Sequence, residues 1–123
     1  MKFIIAVIQP GKLDAVKEAL SAVDVVRLTV VDCQGFGRTR GHQPAYMPAD
    51  RSMQLLPKVQ LQIAVNDAFV DPTVAAIESA AKDESLSPDG TAVFSQAGDG
   101  KIFVLPMEDC IRIRTGERGG EAI

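Results

Sequence analysis

The sequence predicts an α+β fold in which an antiparallel sheet carries two helices on one face. Three observations lead there. Strand-like apolar runs recur at 3–8, 26–30, 59–65 and 102–105. Amphipathic helical spacing occupies 12–22 and the stretch after Asp71. The two kinds of segment follow one another as strand, helix, strand, long loop, strand, helix, irregular loop, strand. That order is the split βαβ arrangement, also called ferredoxin-like.

The first element, Phe3 to Ile8, is an apolar run ended by Pro10-Gly11, which reads as a buried strand and a turn. Leu13, Val16, Ala19 and Leu20 then fall on one helical face, with Lys12, Asp14, Lys17 and Glu18 on the others. Val26, Leu28 and Val30 alternate with Arg27 and Thr29, the period of a strand. From Gln34 to Pro57 periodicity is lost in a Gly- and Pro-containing stretch, predicting one long functional loop. Val59, Leu61, Ile63 and Val65 alternate with Gln60, Gln62, Ala64 and Asn66, a strand with one face buried. Asp71-Pro72 supplies a cap-like residue and a proline for the first helical position, and Val74, Ile77 and Ala81 continue a helix. Residues 82–100 read as a second irregular region, Ile102 to Leu105 as a strand, and Cys110 to Arg114 as another. The tail is polar and glycine-rich.

At 123 residues the chain has the size of one domain, and 46% hydrophobic residues suffice for one core. A formal charge of -3 argues against a sequence-independent grip on nucleic acid, which requires a basic face. No apolar run reaches the roughly 20 residues that span a bilayer. The apolar start is too short for a signal peptide and lacks a cleavage site, so a cytoplasmic address is expected. Cys33 and Cys110 have neither metal-type nor redox-type spacing and read as buried reduced thiols. His42 is the single histidine, which leaves no His-rich metal site and no triad. No side-chain metal site is expected.

Three segments carry chemistry. Gly35-Phe36-Gly37-Arg38 is a flexible turn at the exit of a strand or part of a site. Gly98-Asp99-Gly100-Lys101 offers glycine amides and a lysine that suit a phosphate, although no helix follows as in a P-loop. In Arg112-Ile113-Arg114, strand alternation places both guanidinium groups on one face, an arrangement suited to a polyphosphate or to a solvated sheet face. No dedicated base stands near any of these segments, so an enzyme is not expected.

Taken together, IIAVIQPGKLDAVKEAL, LTVVDCQGFGRTRGH, LLPKVQLQIAV and GDGKIFVLPMEDCIRIRTGERG resemble the PII nitrogen-regulatory signalling family over almost the whole chain. The resemblance implies a homotrimer of ferredoxin-like subunits that binds ATP or ADP in clefts between neighbours. It divides the single domain, 1–123, into a T-loop at about 37–57, a B-loop at about 82–100 and a C-terminal loop at about 112–123. It assigns Thr29 and the backbone around Ala64 to adenine. Gly35, Phe36, Gly37 and Arg38 go to the cleft and the T-loop hinge, Gly98, Asp99, Gly100 and Lys101 to the phosphates, and Arg112 and Arg114 to the phosphates as well. The partners it implies are an ammonium channel or nitrogen-metabolism enzymes and regulators, so that any membrane association is indirect. A regulator of another transporter or of carbon metabolism is the alternative.

The second ligand of the family is 2-oxoglutarate, bound beside ATP with Mg²⁺. Lys58 matches the lysine that meets its distal carboxylate. Thr39 stands where the family usually has glutamine, and its shorter hydroxyl predicts weak or absent 2-oxoglutarate binding. Arg51 occupies the position of the modifiable tyrosine, which excludes uridylylation there, and Tyr46 matches a different tyrosine of the loop. Gln62 offers Arg40 a hydrogen bond where relatives often place an acid. Val93 and Phe94 lie in a B-loop longer than that of relatives, read as a tolerated surface insertion.

Overall fold

The structure is a computed structural model, and it describes residues 1–38, 53–82 and 98–123. Its order is β1 (Lys2–Ile8), α1 (Leu13–Ala22), β2 (Thr29–Arg38), β3 (Met53–Val65), α2 (Val70–Ala81) and β4 (Gly100–Pro106). The strands form one antiparallel sheet in the order β2-β3-β1-β4. This is the ferredoxin-like arrangement that the alternation of elements predicts.

Strand alternation divides the sheet cleanly. Ile4, Ala6 and Ile8 of β1 pair with Ile63, Leu61 and Val59 of β3, and all six are buried. They pack with Val16 and Leu20 of α1 and Ile77 and Ala81 of α2, so the core lies between this face and the helices. Burial of the Val, Leu and Ile side chains among them contributes about 1.5–3 kcal/mol each. The residues between them, Phe3, Ile5 and Val7 in β1 and Lys58, Gln60, Gln62 and Ala64 in β3, lie on the opposite face and are only half-buried.

The two helices end by recognisable chemistry. Past α1, Asp24 adopts φ 63°, while its N–H donates to Ser21 O and the Val25 N–H to Leu20 O. This is a Schellman closure with aspartate in the left-handed position that glycine usually fills. A short 3₁₀ turn, Asp67–Phe69, leads into α2. The helix therefore begins at Val70, and Asp71 lies within its first turn instead of capping it. Buried Thr73 satisfies its hydroxyl on the Phe69 carbonyl.

Three further expectations are corrected. The ladder between β2 and β3 extends to Arg38↔Met53, so 34–38 and 53–57 are sheet and not loop. Cys110 to Arg114 is no strand: only an isolated bridge joins Ile111 to Arg118, around a turn at residues 113–115. Gly116 and Gly119, at φ 74° and 69°, reverse the chain there, and Asp109 accepts hydrogen bonds from the Cys110 and Gly119 N–H groups. Local closure thus replaces strand pairing, and the reading of Arg112 and Arg114 as one strand face falls with it. Both cysteines are free, but half-buried and not buried. Cys33 pairs with Lys58 on the face away from the helices, which explains its exposure.

Candidate functional site

The sheet face away from the helices gathers most of the residues singled out in the sequence. Thr29 pairs with Gln62 and Gly35 with Leu56, both in phase with Lys58 and Ala64. Lys101 pairs with Val7, which itself pairs with Gln60. Thr29, Gly35, Lys58, Ala64 and Lys101 therefore share one face. Phe36 falls on the other face, beyond the core, and is 63% exposed. Gly37 and Arg38 end β2 as backbone partners of Gln54 and Met53. Thr39, Arg40, His42, Tyr46, Arg51, Val93 and Phe94 lie outside the described residues.

These residues sort to two ends of the face. At one end, β4 begins with Gly100, whose φ of 114° brings it against the Val7 carbonyl. Lys101 follows with its side chain exposed. Gln9 Nε2 donates to Gly98 O at 3.2 Å and ties the segment before β4 to the end of β1. At the same end Lys58 lays its aliphatic stem over Gly35, where a Cβ would meet Lys58 Cγ at 3.1 Å. Gly35 thus leaves room for the lysine.

At the other end lie Thr29, Ala64 and the C-terminal segment. Ala64 lines a cavity of about 320 Å³ together with Asp24, Arg27, Asn66, Phe69 and Ile123. That volume is within the range of small-molecule sites. The C-terminal segment is held there by main-chain oxygens: Asn66 Nδ2 donates to Gly120 O at 3.1 Å and Arg27 to Ile123 O at 3.2 Å. Arg112 donates to Glu121 O at 3.4 Å and pairs with the Glu117 carboxylate at 3.5 Å. Arg114 is exposed in the adjoining turn, next to Ile113, which is 99% exposed.

The two ends do not meet within one chain. Ala64 pairs with Phe3 and Lys101 with Val7 on opposite sides of β1. Four residues along the strand and two strand spacings separate them by roughly 17 Å. Gln9, Arg27, Asn66 and Ile123, which shape these two ends, carried no signal in the sequence, because each enters through a long-range hydrogen bond or a cavity wall.

The model of the family described as nitrogen regulatory protein P-II matches residues 1–117. The chain belongs to that family. It is 46% identical to nitrogen regulatory protein GlnK1 of Methanosarcina mazei over 123 residues, covering all of this chain and 97% of the relative. The nitrogen regulatory proteins P-II of Azospirillum brasilense and Rhodospirillum rubrum are 44% and 45% identical, each alignment covering the full length of both chains. The P-II family consists of regulatory signalling proteins of nitrogen metabolism. Among the described residues, no helix is long and apolar enough to cross a membrane.

Proposed function

We propose that this P-II chain is an adenine-nucleotide sensor, binding ATP or ADP in clefts shared between copies in a homotrimer. The observation that carries the reading is the division of the candidate residues between two ends of one sheet face, with Ala64 and Arg112 at one and Gly98 to Lys101 at the other. In a single copy they stand at opposite ends of an open sheet face that encloses no ligand, whereas a neighbour presenting its opposite end completes the site. Phe103 and Leu105, which pair with Ile5 and Phe3 on the same face, are exposed, and contact between copies gives them cover. Lys101 and Arg112 contribute charge-assisted contacts to the phosphates. Mg²⁺ accompanies ATP through the phosphate oxygens, which suits an ion that keeps its waters.

The nucleotide state is passed on by T-loop contacts with target proteins, either an ammonium channel or an enzyme or regulator of nitrogen assimilation. Localisation is cytoplasmic and the role is binding, not turnover. Thr39 favours one variant of this reading, a regulator insensitive to 2-oxoglutarate that serves another transporter or carbon metabolism.

The test is complementation. Lys101→Ala and Arg112→Ala should each weaken ATP binding about tenfold or more in calorimetric titration. Co-refolding the two variants leaves about one cleft in four with both side chains intact, so a tight-binding fraction returns. Unchanged titrations for the single variants would remove the site. Absence of any recovered fraction, or a stable monomer that binds at full strength in sedimentation, would remove the shared cleft.

A further inference from the structure

The loop that carries Arg112 contains two ion pairs of different character. Arg118 meets Asp109 at 2.9 Å, and the same carboxylate accepts the Cys110 and Gly119 N–H groups, so this pair closes the loop. Arg112 meets Glu117 at 3.5 Å, at the outer limit of a hydrogen bond, with both side chains more than a third exposed. The backbone around it does not depend on that contact. Arg112 N–H donates to Glu117 O at 3.0 Å, Gly116 N–H to Arg112 O at 2.8 Å and Gly119 N–H to Cys110 O at 2.9 Å. The Glu117 carboxylate therefore occupies the guanidinium without holding the fold.

A guanidinium already facing a carboxylate offers less to an incoming phosphate, because the resident anion must first leave. We propose that Glu117 is a built-in counter-anion for Arg112, which the phosphates of a nucleotide displace, and that it lowers the affinity of the cleft. The inference rests on the nucleotide reading above and adds a residue to it. A half-exposed, long pair is suited to this role: it is weak enough to exchange, yet close enough to compete. A polyphosphate wins the exchange because it presents several acceptor oxygens and more charge to the same planar donors. Glu121 provides a control, since its contact with Arg112 is through the main-chain carbonyl and not through its carboxylate.

The experiment is calorimetric titration of ATP, and separately of inorganic tripolyphosphate, into the full chain and its Glu117→Gln, Glu117→Ala, Glu121→Gln, Arg112→Ala and Arg112→Ala/Glu117→Gln variants. Both Glu117 variants should tighten binding of either ligand by about two- to fivefold relative to Glu121→Gln. The gain should vanish in the Arg112→Ala background. Equal effects of Glu117→Gln and Glu121→Gln would reduce the result to general charge and overturn the proposal. So would a gain that persists without Arg112, or weaker binding by the Glu117 variants. ATP binding that responds to Arg112→Ala but not to Glu117→Gln overturns this inference and leaves the nucleotide reading standing. Binding by none of the proteins overturns both.

Discussion

Gly100 approaches Val7 so closely that a Cβ on the glycine would stand 1.9 Å from the Val7 carbonyl oxygen. The obstacle is backbone in the middle of the sheet, which cannot step aside. Gly100 also sits at φ 114°, a conformation that side-chain-bearing residues rarely adopt. Gly100→Ala should therefore cost at least about 1–3 kcal/mol in urea unfolding, from backbone strain before any clash is counted. It should also weaken ATP binding, because Lys101 is the next residue. Gly98→Ala is the matched control: nothing lies within 4 Å of its added Cβ, so its stability should change by no more than about 0.5 kcal/mol. Equal stability of the two variants would contradict the close approach.

Asp24 gives a change in the opposite direction. It holds φ 63° at the end of α1 while its neighbours complete the closing hydrogen bonds. A left-handed conformation costs an L-residue roughly 1–2 kcal/mol, and glycine avoids that cost against a smaller loss of chain entropy. Asp24→Gly should raise stability by about 0.5–1 kcal/mol in thermal or urea unfolding. A decrease would mean that the aspartate side chain holds the turn through contacts of its own.

How much of this was legible in the sequence depends on what kind of signal each element carries. The alternation from Val59 to Val65 is a buried-face pattern, and the structure follows it residue by residue. The outer part of the same strand has no such pattern. Beyond Val59 it pairs only with β2, and on that one-sided ribbon Gly35, Gly37 and Pro57 are tolerated. Cys110 to Arg114 shows the converse failure. Its apolar–basic alternation is real, but alternation needs a partner strand, and here Asp109, Gly116 and Gly119 fold the chain back on itself. The same limit applies to the site. Alternation can place Lys58 and Ala64 on a common face, whereas the cavity wall of Arg27, Asn66 and Ile123 arises from contacts between distant parts of the chain.

Asp109 makes the C-terminal loop sensitive to acid. The Cys110 N–H above all holds its carboxyl below the ordinary aspartate value; desolvation opposes it, and the Gly119 N–H and the Arg118 guanidinium add smaller lowering contributions. A carboxylate whose folded value is depressed contributes stability that is present above its unfolded value of about 3.9 and is lost as pH falls through the folded value. The loop closed by Asp109 should thus be intact at neutral pH and open only as pH falls beneath the ordinary aspartate range and through the depressed folded value, which the Gly119 amide resonance would report. Asp109→Asn should loosen the same loop at neutral pH and flatten the acid response of that resonance. An Asp109→Asn protein with the unchanged Gly119 shift and the same acid transition would assign the transition to another group.

The last prediction concerns 2-oxoglutarate, whose two candidate residues are unequally placed. Lys58 is on the open face, its stem over Gly35 and its level on the sheet close to Gln9 and Gly98. Its ammonium group is thus at the same end as the residues expected to meet phosphate, and it suits a distal carboxylate as a compact point charge. Thr39 follows Arg38, the last residue of β2. If Mg²⁺ sits there as the resemblance implies, a threonine would not reach as far as the glutamine amide expected at that position, and water would have to stand in for that ligand. Loss of one hydrogen bond to a charged centre costs on the order of 1.5–3 kcal/mol, or about one to two decades in affinity. The expected result is ATP binding with weak or no 2-oxoglutarate binding, and a gain of about tenfold or more on Thr39→Gln. Lys58→Ala should abolish that gain. The measurement is titration of 2-oxoglutarate into each protein saturated with Mg-ATP. Tight binding by the unaltered chain, indifferent to Thr39→Gln, would show that the glutamine is dispensable in this P-II protein and would remove the basis for a 2-oxoglutarate-insensitive regulator.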